Sequence, residues 1–143
     1  DANLSNAILT GANLSKANLS GAKFYGADLS KINLSNANLS GANIDYANLS
    51  GAKLIEADLS DANLYGSNFS GTNLSGANLS NSNLSGIDID YADLSGANLT
   101  GADLTGADLS YSNLTGANLS EINLTGAILC NTETPWGIDY SGC

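Results

Sequence analysis

Apolar residues recur along the chain in two columns with a spacing of five. Written in units of five from Asp1, the sequence runs DANLS NAILT GANLS KANLS and stays in register through 26 consecutive units, ending with GAILC at residues 126–130. The fourth residue is Leu in 22 units, and the second is Ala in 19. The other fourth residues are Phe24, Ile44, Phe69 and Ile89. Because these two positions alternate with polar neighbours, each unit is predicted to contain one short extended strand.

The first residue of each unit predicts a turn. It is Gly in 14 of the 26 units and Asn at Asn6, Asn36 and Asn81, and both residue types tolerate the positive φ of a tight turn. A chain that turns the same way every five residues forms a coil, and one coil cannot bury its inner face alone. Successive coils must therefore stack into an all-β solenoid, although the period alone leaves the number of sides open.

The tandem A-(D/N)-L-S-G pattern of residues 1–130 resembles the pentapeptide-repeat family. That resemblance implies a right-handed, four-sided β-solenoid with four repeats per coil. At four repeats per coil the chain would form about six and a half coils, with residue n lying over residue n+20. We therefore expect a pentapeptide-repeat β-helix over 1–130 and a short C-terminal capping tail over 131–143.

Outward side chains should form ladders if residue n lies over residue n+20. One such ladder is a column of hydroxyl residues: Ser20, Ser40, Ser60, Ser80, Thr100 and Ser120. A regular hydroxyl array resembles ice-binding solenoids, but those favour paired Thr. A ladder of hydrogen bonds between coils is the favoured interpretation, and ice binding is an alternative.

Three carboxylates should cluster on one side of the solenoid. Asp88 and Asp90 point outward from one coil, and Asp108 should lie directly above Asp88. Such a cluster either has raised pKa values or binds a cation. Because Ca²⁺ needs six to eight oxygen ligands and no EF-hand loop is present, a solvated acidic patch is favoured over a metal site.

Tyrosines occupy two corners of the predicted coil. Tyr91 and Tyr111 should stack at equivalent corners of adjacent coils, while Tyr25 and Tyr65 flank Asp45 on another column. Exposed aromatic residues can anchor a protein partner. They can equally pack along the surface in place of a corner Gly.

The last 13 residues, NTETPWGIDYSGC, depart from the repeat. They contain Pro135, the only Pro, and Trp136, the only Trp. An open solenoid end exposes apolar side chains and unpaired strand edges, so we assign this tail as a cap. Trp136 is expected to lie over the last coil near Leu124 and Leu129.

The only two cysteines, Cys130 and Cys143, bracket this tail. With no His or third thiol to complete a metal site, a disulfide is predicted; it would stabilise the fold by about 3 kcal/mol. Such bridges persist in oxidising compartments. The C-x-T-x-x-P-x-G…G-C tail also resembles the endings of cyanobacterial pentapeptide-repeat proteins, some of which are exported, although many carry Asp where this chain has Trp136. The periplasm or the thylakoid lumen is the predicted location.

The charge of the chain is strongly negative and uneven. The net charge is −10, and residues 66–143 hold eight acids and no base. This charge repels nucleic-acid phosphates and anionic lipid, so direct nucleic-acid binding is not expected. No apolar run approaches the length of a membrane span, so membrane insertion is not expected either.

Composition argues against catalysis. The chain has no His, Arg or Met, and both cysteines are assigned to the bridge, so no base activates its serines. No catalytic residue and no cofactor are predicted. The favoured function is a structural or protein-interaction scaffold with an unidentified protein partner. The family resemblance implies an alternative, a DNA mimic acting on DNA gyrase in the manner of quinolone-resistance proteins; cation or ice binding is a third. Because the sequence starts inside a regular repeat with no capping segment, either the chain is truncated there or this end docks against another copy. A monomer or an end-to-end homodimer is expected.

Overall fold

The five-residue units form a stack of coils in a computed structural model that describes residues 2–143. Parallel β-bridges join residue n to residue n+20, from Asn3 with Lys23 to Asn113 with Glu133. A coil therefore takes four units, and the predicted β-solenoid is confirmed. Asp1, the first residue of the first predicted unit, lies outside the described residues. The rest of the chain contains no helix long and apolar enough to cross a bilayer.

Backbone hydrogen bonds hold neighbouring coils together. The N–H of Leu54 donates to the carbonyl of Asn73 one coil above at 2.7 Å, and the N–H of Lys53 donates to the carbonyl of Ile32 one coil below at 2.9 Å. Between consecutive units, the N–H of Ala57 donates back to the carbonyl of Leu54 and closes the turn at 3.0 Å. Each coil thus bonds to the coils above and below, which satisfies the backbone of a chain made almost entirely of turns.

At every fifth residue from Asn6 to Asn131, the chain adopts the left-handed conformation at a corner. Twelve of these residues are not Gly, including Lys31 at φ 56° and Tyr46 at φ 57°. The third residue fixes the same turn, because its side-chain oxygen accepts the backbone N–H two residues later. The distance is 3.0 Å from Ser40 to Asn38 and 3.0 Å from Ser85 to Asn83. Asn and Asp at the third position therefore support the turn at most non-glycine corners, although Glu56 and Asn131 follow Lys53 and Ile128.

We expect Gly66→Ala to destabilise the fold more than Gly86→Ala. The two glycines occupy the same corner column, with φ values of 60° and 63°, so both substitutions carry a similar backbone strain of about 1 kcal/mol. A Cβ on Gly66 would also lie 3.0 Å from the Tyr46 ring, whereas a Cβ on Gly86 would meet no atom within 4 Å. Thermal unfolding of the two variants measures the difference, and equal melting temperatures would contradict the packing of Tyr46 over Gly66.

The second and fourth residues of the units form the core. Fourth-position side chains such as Phe24, Leu64 and Phe69 have no exposed surface. The second position also accepts four small hydroxyl residues, each buried: Ser67, Thr72, Ser82 and Ser112. Each of these hydroxyls donates to the carbonyl three residues back at 2.6 or 2.7 Å, so its polar group is satisfied without an inter-coil partner.

The tail continues the ladder before it folds back. Strand β1, Thr132–Thr134, bridges to Asn113 through Glu133 and then pairs with strand β2, Gly137–Asp139, in an antiparallel hairpin. Thr132 and Thr134 are buried at the two positions that Ala and Leu occupy elsewhere. The Thr132 hydroxyl donates to the carbonyl of Leu109 at 2.7 Å. The coil thus extends across the boundary that the sequence predicts between residues 130 and 131.

Candidate interaction surface

The three predicted carboxylates, Asp88, Asp90 and Asp108, do come together, and we call them the acidic cluster. Asp88 bridges to Asp108 in the ladder, and the Asp90 N–H donates to the Asp88 carboxylate at 3.4 Å. Partial loss of hydration raises the pKa of Asp88, and the charges of Asp90 and Asp108 raise it further. The Oδ1 atom of Asp90 is buried without a hydrogen-bond partner. Across residues 2–143, no group of three or more acidic, His or Cys side chains has the arrangement of a metal site.

Asp88→Asn is expected to stabilise the protein at neutral pH. Since the pKa of Asp88 is raised by folding, its charged form costs stability above that pKa, and the cost disappears as the pH falls through it. We expect a gain of about 0.5 kcal/mol at pH 7, because solvent screens this partly exposed group. The gain should vanish in acid. Thermal denaturation of both proteins from neutral to acidic pH measures it.

Asp103→Asn is the control variant, and we expect it to change the stability in the opposite direction. Hydrogen bonds from the Thr105 hydroxyl at 2.6 Å and the Thr105 N–H at 3.0 Å lower the pKa of Asp103. Its stabilising effect is therefore present at neutral pH and is lost as the pH falls through the lowered pKa. Asp103→Asn should lower the melting temperature at pH 7. A shift in the same direction for both variants would contradict the assigned causes.

Tyr91 and Tyr111 stack at one corner of adjacent coils, as the sequence predicts. Their ring centroids are 4.9 Å apart, and the ring planes are inclined by only 5°. Both rings remain largely accessible, with 62% of Tyr91 and 51% of Tyr111 exposed. Tyr91 directly follows Asp90 along the chain, so the stacked pair borders the acidic cluster.

A second tyrosine group lies in the N-terminal half, where Tyr46 joins Tyr25 to Tyr65. The Tyr46 ring contacts the other two edge-on, with centroid distances of 5.7 and 5.4 Å. Desolvation and the adjacent Tyr65 raise the pKa of Tyr46. The neighbouring Asp45 carboxylate accepts hydrogen bonds from the Asn63 amide at 2.8 Å and from the Tyr65 N–H at 3.1 Å. We call Tyr25, Tyr46 and Tyr65 the N-terminal tyrosine group. Its rings contact one another, and its neighbouring carboxylate is already hydrogen-bonded.

The tail carries the predicted disulfide. Cys130 and Cys143 are bonded, with their Cα atoms 4.8 Å apart, and the described chain contains no free cysteine. The N–H of Leu129 also donates to the carbonyl of Ser141 at 2.8 Å, which ties the end of the tail to the last coil. The disulfide therefore closes a segment that already belongs to the solenoid.

The expected position of Trp136 is wrong. This side chain is 65% exposed instead of covering the last coil, and Pro135 is exposed beside it in the turn between β1 and β2. The physical reason is that Thr132 and Thr134 already fill the inward positions of the tail. The hairpin turn that follows consequently faces solvent.

Sequence reasoning missed a group of exposed apolar side chains at and beside β2. Ile138 lies in the middle of β2, Trp136 and Tyr140 directly flank the strand, and the three side chains are 57%, 65% and 61% exposed. Residues two apart in an extended segment face the same side, so the W-x-I-x-Y spacing of the tail is the signal that identifies them. Ile138 pairs with Glu133 across the hairpin, which extends the outer face of the solenoid by one strand.

The predicted hydroxyl column is engaged in local hydrogen bonds. The hydroxyls of Ser40 and Thr100 each donate to the side-chain oxygen two residues earlier at 2.7 Å. Between coils, the Asn98 amide donates to Asn78 at 3.1 Å. These contacts favour the ladder interpretation of the column over ice binding.

Together these features define a β-solenoid built from tandem five-residue units. The sequence pattern of the pentapeptide repeats matches residues 1–36, 32–71, 67–106 and 102–133, in eight copies. The chain belongs to the pentapeptide repeat family. No curated protein is significantly similar to it in sequence.

Several solved pentapeptide repeat proteins are similar to this chain. HetL, which is involved in heterocyst differentiation regulation in the cyanobacterium Nostoc sp. strain PCC 7120, is 32% identical over 94% of this chain and 77% of its own, with a TM-score of 0.49. A thylakoid-lumen protein of Arabidopsis thaliana is 31% identical over 80% of this chain and 69% of its own, with a TM-score of 0.29.

QnrB1, a plasmid-mediated fluoroquinolone resistance protein, is also similar. Its full-length structure is 21% identical over 87% of this chain and 83% of its own, with a TM-score of 0.40. At this identity the likeness carries no functional inference for the present chain.

Proposed function

We propose that this protein is a non-catalytic scaffold whose outer surface binds another protein. The observation that supports this function is the display of exposed aromatic side chains on a backbone fixed by inter-coil hydrogen bonds. Tyr91, Tyr111 and Trp136 are all more than half exposed. Tyr and Trp dominate the binding energy of many protein interfaces, and side chains held by a rigid backbone lose little entropy when they bind.

The available chemistry supports a binding role over catalysis. The chain contains no His and no Arg. Serine hydroxyls such as those of Ser60 and Ser85 donate to Asp58 and Asn83 two residues earlier, at 2.7 and 2.6 Å. A serine needs an adjacent general base to act as a nucleophile. The acceptors next to these hydroxyls stabilise the turns instead of activating the serines.

A site-specific photo-crosslinker tests the scaffold function. The crosslinker would replace Tyr111, with a matched control at Ser40 on the hydroxyl column. We expect the Tyr111 position to give a heterologous adduct in the source cells and the control position to give none. The purified adduct partner should then bind the unmodified protein at defined stoichiometry in calorimetry. A partner that shows no binding when purified, or self-crosslinks alone, would contradict the proposal.

An oxidising compartment, either the periplasm or the thylakoid lumen, is the proposed location. The Cys130–Cys143 disulfide supports this proposal because such bonds are reduced in most cytosols. Alkylation of cells before lysis, followed by mass spectrometry, tests it directly. We expect neither Cys130 nor Cys143 to be alkylated in the absence of reductant. Two alkylated thiols in the freshly isolated protein would contradict this location.

A DNA mimic acting on DNA gyrase is the second candidate function. It is supported by the net charge of −10, since an anionic rod can occupy a cationic DNA-binding surface. Against it, the uncompensated charge is concentrated in residues 66–143 and does not follow the whole rod. A supercoiling assay with purified gyrase discriminates the two functions, because unchanged supercoiling and unchanged quinolone inhibition would exclude this candidate.

A further inference from the structure

We propose that one corner of the solenoid, formed by Tyr91, Tyr111 and Tyr140, binds an arginine-bearing segment of a partner protein. We call these three residues the aromatic edge. The acidic cluster beside it would supply the counter-charges. This inference rests on the proposed scaffold function and assigns both its binding site and the chemistry of its partner.

The backbone places Tyr91 and Tyr111 in one corner column and Tyr140 beside its end, next to Asn131. Tyr91 and Tyr111 are stacked one coil apart, and the Tyr111 N–H donates to the carbonyl of Cys130 in the next coil at 2.9 Å. The chain then enters the hairpin, where Thr132 pairs with Asp139. Tyr140 follows Asp139 and so lies beside the end of the same corner column, with 61% of its surface exposed.

The carboxylates next to this edge have no intramolecular cation. Asp90 directly precedes Tyr91, and no Lys or Arg occurs in residues 66–143. The buried Oδ1 atom of Asp90 accepts no hydrogen bond, and the charged form of Asp88 is disfavoured by desolvation and by its carboxylate neighbours. A guanidinium would supply the missing counter-charge, because its planar N–H groups form paired, charge-assisted hydrogen bonds with carboxylates.

One ring face of the stack is open to such a group. The corner position one coil below Tyr91 is Gly71, and the space that a Cβ would fill there is empty to 4 Å. Because Gly71 has no side chain and 62% of Tyr91 is exposed, a guanidinium can approach the ring from this side, and such groups bind favourably over aromatic faces.

The N-terminal tyrosine group lacks these properties and provides a matched control. Asp45 is bonded by Asn63 and by the backbone of Tyr65, and the Tyr46 ring is packed over a glycine. All four lysines of the chain also lie in residues 1–65. Exposed tyrosines alone therefore do not define the proposed site; the combination with unpaired carboxylates does.

Fluorescence anisotropy with a labelled peptide tests the site. The probe is a synthetic Gly/Ser peptide that carries four evenly spaced arginines, and its partner probe carries four lysines. At about 0.15 M salt, where long-range attraction is screened, we expect the arginine peptide to bind more tightly. Tyr91→Ala with Tyr111→Ala should weaken its binding by about tenfold, and Tyr91→Phe with Tyr111→Phe should retain it.

Two further variants make the result specific. Asp88→Asn with Asp90→Asn should also weaken binding of the arginine peptide, whereas Tyr25→Ala with Tyr65→Ala should leave it unchanged. Equal losses at the two tyrosine groups, or equal affinities for the two peptides, would mean that only net charge acts and would overturn the proposal. If the crosslinked partner binds but ignores the Tyr91 and Tyr111 substitutions, this site is wrong while the scaffold function stands.

Discussion

Phe69→Ala should lower the free energy of unfolding by about 3 to 5 kcal/mol, the largest effect expected from a single substitution in this chain. The Phe69 side chain is completely buried at a fourth position, with Leu49 in the coil below and Ile89 in the coil above. Because each coil is fixed to its neighbours by backbone hydrogen bonds, the walls cannot collapse into the space that the ring leaves. Chemical denaturation of the variant and the parent protein measures this loss.

Phe69→Leu is the matched control for this prediction. Leu occupies the fourth position in 22 units, so the same site geometry accepts it throughout the solenoid. We expect a loss of only about 1 to 1.5 kcal/mol, because Leu leaves a much smaller cavity at this site than Ala does. If Phe69→Ala were tolerated as well as Phe69→Leu, the rigid, tightly packed core inferred from the inter-coil ladder would be wrong.

Cys130→Ser should remove about 3 kcal/mol of stability, and the loss should be confined to the C-terminal end. The bond joins residues 13 apart in sequence and closes the tail that carries β1 and β2. Since units of a solenoid contact only their neighbours, release of the tail should not propagate far down the stack. Hydrogen exchange is expected to accelerate in Thr132–Asp139 and to remain slow around Leu64.

Reduction of the parent protein checks the same prediction without a substitution. A thiol reductant should reproduce the faster exchange of the tail and should have no further effect on Cys130→Ser. If the oxidised and reduced forms exchange alike in β1 and β2, the backbone contacts of Glu133 and Ser141 alone hold the tail. The assigned contribution of the disulfide would then be wrong.

The sequence predicts most of this fold because its information is local and repeated. Leu and Ala in two of every five positions specify the inward side chains, and Gly or Asn in the first position specifies the corner. Corners such as Lys31 and Tyr46 carry no such signal themselves. They adopt positive φ because the surrounding ladder and the preceding Asp28 and Asn43 impose it.

The candidate interaction surface was predictable only in part. The stacking of Tyr91 on Tyr111 follows from their 20-residue spacing once the number of units per coil is known. The outward position of Trp136 does not follow, because it depends on whether Thr132 and Thr134 can replace Ala and Leu inside the coil. Thr at these two positions breaks the apolar pattern. Only the three-dimensional structure shows that both hydroxyls have hydrogen-bond acceptors inside the coil.

The fixed offset of 20 residues makes the outcome of an insertion depend on its length. Twenty residues added after Ser80 would move the C-terminal part up by one coil and keep Tyr91 in the same corner column as Lys31. Five residues would shift every later side chain to the next face and move the aromatic edge around the axis relative to the lysines. Duplication of five-residue units in this chain can therefore change which side chains share a face while the inward-facing pattern stays the same.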